Sequence, residues 1–156
     1  MSTRFVFDWA VEQVGGESLG WHAGTDFRVM LLEGTGIPDK NAGSVSDVLA
    51  TTGLSEINAT GYSRETLQNL VAEMDAAGGV YRHKADDRSF GELGNGTNSN
   101  IRAVLVYKGS LNSGDDGTNQ PVYFKQYDAD RATNGGEVTV QWTDNDTVFE
   151  LDNPTN

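Results

Sequence analysis

The side chains with the richest chemistry are few. The two histidines, His22 and His83, are separated by the whole middle of the chain. A histidine metal site would need both, together with carboxylates that only the fold could bring to them. Taken singly, each reads as a surface or partly buried residue. Two adjacent carboxylate pairs, Asp86-Asp87 and Asp115-Asp116, invite an acid–base reading. Neighbours on a strand point to opposite faces, so neither pair is a natural dyad, and turn capping is the expected role. Asp128, Asp130, Asn134 and Glu137 cluster ahead of a turn but lack the spacing and the glycine of a calcium loop. There is no nucleophile elbow, phosphate-binding loop or dinucleotide fingerprint. Cysteine is absent, which removes disulfides, thiolate metal sites and cysteine nucleophiles. The Asn-x-Thr triplets beginning at Asn58, Asn95 and Asn145 match a glycosylation pattern that matters only in a secreted chain. The expectation is a non-enzymatic protein with no cofactor and no metal.

Charge narrows the partners. With 23 acidic and 11 basic residues among 156, the net charge is −12. Such a surface repels nucleic acid and anionic lipid at long range and favours solubility at high copy number. No run approaches ~18 consecutive apolar residues. Met1-Ser2-Thr3-Arg4-Phe5 lacks the basic start and long apolar stretch of a secretory signal. Neither nucleic acid nor membrane is expected as a partner, and assembly in the cytoplasm is.

Length and aromatic content, with Trp9, Trp21 and Trp142 among them, suit one domain with a real core over 1–156. Arg4 to Val14 reads as a short helix, apolar around most of its circumference and stopped by Gly15-Gly16. Asp26 to Glu33 is the clearest early strand. Ser44 with Asp47 resembles a capping box for a helical turn or two. Ile57 to Thr60 reads as a short strand. Ser63 to Ala77 is ambiguous: Leu67, Leu70, Val71 and Met74 fit helical spacing, while Leu70, Ala72 and Met74 also alternate, and periodicity alone favours helix. Val80 to Lys84 reads as a strand. Ile101 to Lys108 is the best strand, its apolar run implying two covered faces. Pro121 to Tyr127, Val138 to Trp142 and Val148 to Leu151 follow as strands, with a hairpin signal at Thr133-Asn134-Gly135-Gly136 and a turn at Asp144-Asn145-Asp146. The pattern implies a mainly β fold, an antiparallel β-sandwich or jelly-roll-like barrel with a short N-terminal helix. It divides into a helical segment at 1–16, a core at 26–151 and a polar tail at 152–156. Val104, Val106, Val140, Trp142 and Phe149 are the expected core.

One ordered set of motifs resembles a family. It begins with the strand Phe27 to Leu32 and continues through Glu56-Ile57-Asn58-Ala59-Thr60-Gly61-Tyr62-Ser63-Arg64-Glu65-Thr66-Leu67. Lys84-Ala85-Asp86-Asp87 with Phe90, then Ile101 to Lys108, Thr133 to Trp142 and Val148 to Leu151, complete it. In order and spacing this is similar to a family of small tailed-phage virion structural proteins, over about residues 26 to 151. Lys84 stands where relatives often carry an acid, and Ala76-Ala77-Gly78-Gly79 replaces a more acidic turn. The resemblance implies a strand near Leu70 to Asp75, a turn and another strand, in place of the helix that periodicity favours.

It also implies a role within a virion. The first expectation is a capsid decoration (cement) protein, bound to the outer shell and stabilising contacts between capsomers. Its partners would be the major capsid protein and copies of itself, as a homotrimer. The alternative is a tail or neck subunit, in a tail tube or connector; a host-surface glycan-binding module is a third reading. Because one face of a docked helix cannot hide Phe5, Val6, Phe7, Trp9, Val11 and Val14 together, Phe5, Phe7, Trp9 and Val11 are the expected subunit or capsid contacts.

Overall fold

The computed structural model describes residues 2–13, 19–22, 24–74, 79–142 and 146–152. The expected stop at Gly15-Gly16, residues 76–78 of the 76–79 turn, Asp144-Asn145 and the end of the tail lie outside them. In chain order the elements are β1 (Arg4–Val6), α1 (Asp8–Gln13), β2 (Phe27–Glu33), α2 (Val45–Leu49), β3 (Ser55–Glu56), β4 (Glu65–Thr66) and β5 (Val71–Met74). There follow β6 (Val80–Lys84), β7 (Arg88–Glu92), β8 (Asn100–Lys108), a 3-10 turn at Ser113–Asp115, β9 (Gln120–Ala132), β10 (Glu137–Val140) and β11 (Thr147–Asp152). The protein is mainly β, and every pairing is antiparallel.

A large sheet in the order β1-β9-β8-β2-β3, with β4 also on β2, forms the middle layer. Alternation divides its side chains between two cores. Val29, Leu31, Val104 and Val106 face a core shared with Phe90, Val140, Trp142, Val148 and Phe149. These come from the three-stranded sheet β11-β6-β5 and the two-stranded ribbon β10-β7. Met30, Leu32, Ala103, Leu105 and Phe124 face the opposite core, closed by Phe7 and by Val45 and Val48 of α2. Both faces of β8 are therefore covered, as its apolar run implies. Ser44 caps α2 by accepting from Asp47 N at 3.2 Å. The five expected core residues are all buried.

Three expectations are corrected, and the ambiguity at 63–77 is resolved for its described part. Arg4 to Val14 is not one helix. Arg4–Val6 is a strand on β9, with Phe5 opposite Phe124, and among the described residues the helix is Asp8–Gln13. Pairing with the exposed edge of β9 satisfies backbone groups that an isolated first turn leaves open, and tertiary pairing overrides the local pattern. The short strand falls at Ser55–Glu56 and not at Ile57 to Thr60. The segment 63–74 is extended, as the resemblance implies and against the helical spacing. Leu67 and Leu70 are buried whereas Val71 and Met74 are about half exposed. A helix would have put all four on one face. Last, Thr133 to Gly136 does not close a hairpin of β9 on β10. It makes an Asx turn, Gly136 N donating to Asn134 Oδ1. It then bonds outward to residues 93–99: Thr133 N to Ser99 O, Gly135 N to Leu93 O and Leu93 N to Gly136 O. Gly94, at φ +89°, allows this approach, since a Cβ there would lie 2.6 Å from Thr133 Oγ1. β9, β10 and β11 thus lie in three different sheets.

Candidate functional site

The carboxylate pairs are anchors. Asp87 Oδ1 accepts from Trp142 N and Asp86 O accepts from Trp142 Nε1, both at 2.9 Å. Asp116 does more than cap its turn. Arg64 is buried and grips it with two hydrogen bonds, Nη1 to Oδ1 at 2.6 Å and Nη2 to Oδ2 at 2.8 Å. Its remaining donors reach Glu56, Nε to Oε1 at 2.8 Å and Nη2 to Oε2 at 2.7 Å. Tyr62 Oη donates to Glu56 Oε1 and accepts from Leu31 N, tying the cluster to the central strand. Burial works against the Arg64 charge, but the hydrogen bonds to Asp116 and Glu56 outweigh it and hold its pKa above the usual arginine value. Burial, then the Glu56 carboxylate, pushes the Tyr62 hydroxyl well above the usual phenol value. Every strong donor in this cluster is satisfied within the protein, so it locks the fold.

His83 is also internal. It stacks on Phe149 at 4.3 Å between ring centroids and meets Trp21 edge-on, and its Nδ1 has no hydrogen-bond partner. Burial lowers its pKa from 6.5 to about 4, a backbone hydrogen bond at Tyr81 pulling weakly the other way. Between those values the unfolded chain binds a proton that the folded one refuses. His83 therefore contributes stability that is full above the unfolded pKa and lost as pH falls towards the folded one. Urea unfolding at about pH 7 and about pH 5 should show the wild type losing about 2 kcal/mol more than His83→Phe. Equal losses would mean that His83 is protonated in the folded protein. Among the described residues no group of three or more His, Asp or Glu could hold a metal ion, and no helix is long and apolar enough to cross a membrane.

The four expected contact residues separate. Phe7 is fully buried in the protein's own core, a correction to its proposed role across an interface. Its backbone N donates to Val122 O and its ring packs edge-on against Phe5. Trp9 is half-buried, its Nε1 donating to Pro121 O. Phe5 is half-buried between Phe124 and the Lys40 ammonium. Only Val11, 46% exposed, stands open. Beside Phe5 and Val11 lies a cleft of about 750 Å³. Its walls are β1, the outer strand of the large sheet, and β11, the outer strand of the three-stranded sheet.

The Arg64 cluster and this cleft both escape sequence reasoning. Glu56, Tyr62 and Arg64 stand in one motif, but Asp116 sits in a glycine-rich loop far along the chain, with only its neighbour Asp115 to suggest a role. The cleft joins opposite ends of the chain, and no local signal marks it. Compared with family models, curated proteins and solved structures, the chain matches none of them.

Proposed function

We propose that this chain is a non-enzymatic structural protein of a tailed-phage virion, acting as a capsid decoration protein. The observation that carries the reading is what the motif residues do in the fold. Arg64, Glu56 and Tyr62 fasten the loops to β2. Asp86 and Asp87 hold Trp142, and Thr133 to Gly136 ties β9 to the loop at residues 93–99. The resemblance is thus carried by residues that maintain a scaffold, with no reactive constellation among them. A scaffold of this kind works through its outer surface. Covering ~400 Å² of apolar surface would contribute about 10 kcal/mol per copy before ordering costs. Repeated around a shell, such contacts would resist internal pressure, and a homotrimer would multiply them by avidity.

Quantitative mass spectrometry of purified particles tests the assignment, with the major capsid protein as reference. Hundreds of copies per particle are expected of a decoration protein. A dozen or fewer would move the protein to the tail or neck, where symmetry allows only small rings. Particles without it would overturn both.

A further inference from the structure

The cleft between β1 and β11 has two properties that together specify an occupant. The first is an open backbone edge. Gln126 N donates to Thr3 O and Phe7 N donates to Val122 O, so the odd-numbered residues of this segment turn their backbone groups towards β9. In an antiparallel pair the intervening residues face the other way. The N–H and C=O groups of Arg4 and Val6 therefore point outward, and among the described residues nothing pairs with them. Val6, Phe149 and Leu151 give the cleft an apolar floor between the two edges.

The second property is charge. Six of the 11 basic residues form ion pairs with Asp or Glu, and Lys108 donates to Leu19 O. The other four, Arg4, Lys40, Lys125 and Arg131, make no ion pair among the described residues, and all four gather around β1 and β9. Arg4 sits opposite Lys125 in register. Lys125 and Arg131 lie over the Tyr127 ring, at 5.5 and 4.7 Å from its centroid. Burial lowers the Lys125 pKa most, and the nearby charges of Arg4 and Arg131 add to it. Glu150 on the opposite wall is engaged by Arg82 at 2.9 Å. A protein of net charge −12 thus keeps a concentration of uncompensated cations beside an open strand edge.

We propose that the cleft is a strand-addition site, in which an extended acidic segment of a partner protein pairs its backbone with the outer edge of β1 and sets its carboxylates against Arg4 and Lys40. Charge alone would admit any polyanion. Alternating N–H and C=O groups along the edge are matched only by another polypeptide, and the apolar floor takes alternate side chains of an added strand. The proposal concerns this surface whichever particle carries the protein, so copy number in particles and binding in the cleft can fail separately.

The test uses the full chain, labelled with ¹⁵N, and a short synthetic peptide alternating aspartate and valine. Amide shifts are expected at Arg4, Val6 and Thr147 to Leu151. The double variant Arg4→Glu, Lys40→Glu should weaken binding by about tenfold while keeping the rest of the spectrum, both residues being exposed. Methylating alternate backbone nitrogens of the peptide should abolish binding. The proposal is overturned if the acidic peptide leaves these amides unmoved at millimolar concentration. It also fails if a lysine–valine peptide or oligothymidylate binds equally well. The same shifts on concentrating the protein alone would make a second copy the occupant and overturn the assignment to a different partner.

Discussion

Arg64→Met is expected to lower stability by about 3–5 kcal/mol, enough to remove a large part of what holds a domain of this size together. The Arg64 side chain is 4% exposed, against 22% for Glu56 and 10% for Asp116. Without the guanidinium, two carboxylates face each other across a desolvated gap. Tyr62 would stay bonded to Glu56, but Asp116 would keep only Asn119, whose Nδ2 donates to Oδ1 at 3.1 Å. The Tyr107 ring, 5.5 Å from the Arg64 guanidinium carbon, would lose its cation. Arg64→Lys should recover only part of the loss, because an ammonium cannot grip two carboxylates with paired donors. The double variant Arg64→Met, Asp116→Leu should cost less than Arg64→Met alone, since it removes a stranded charge along with its partner. Urea unfolding of the three variants measures these differences. A single Arg64→Met variant within 1 kcal/mol of wild type would show that water reaches the cluster and that it does not lock the fold.

Legibility followed the range of the interaction that fixes each element. β2 and β8 were readable because their burial comes from their own apolar runs, and Ser44 because the backbone donor it accepts from lies three residues away. The elements misread are those set by distant partners. β1 is a strand because β9 offers it an edge, although its own residues fit a helical face. The Thr133–Gly136 turn carries a strong hairpin signal, yet its backbone groups are claimed by Leu93 and Ser99, and β10 is drawn to β7. Asp116 was readable as a turn residue, but its burial depends on Arg64, which no spacing rule connects to it. As one helix, the N-terminal segment would carry more apolar surface than a single docked face can hide. A strand and a turn of helix solve that problem, sending Phe7 inward to one core and Ala10 to the other. The exposed residue is Val11, and the binding surface beside it came from charge and backbone geometry more than from apolar count.

Trp142→Ala is the second substitution with a large expected cost, about 3–5 kcal/mol, because it removes an indole from a packed core that cannot refill the space. Trp142 is 9% exposed and lies two residues beyond the end of β10. Its two hydrogen bonds go to Asp86 and Asp87, which lie between β6 and β7. Trp142, through its indole Nε1 and its backbone N, therefore joins the two-stranded ribbon to the segment entering from the three-stranded sheet, and its ring packs in the core they share with the large sheet. The ribbon is also tied by Arg88 to Glu65 and by Phe90 and Val140 in the common core, but a two-stranded ribbon is marginal in water without such packing. Loss of Trp142 should accordingly loosen β7 and β10 before the rest. Amide exchange should quicken at Ser89 and Thr139, which face each other in the ribbon, while β8 stays protected until global unfolding. Trp142→Phe keeps most of the apolar contact and leaves Asp86 O without its donor, a loss of about 1–3 kcal/mol. Asp87→Ala, which frees only the Trp142 backbone N–H, should cost about 1 kcal/mol. Melting of Trp142→Ala like the wild type, or exchange that quickens uniformly across all three sheets, would show that the ribbon is held by something other than this side chain.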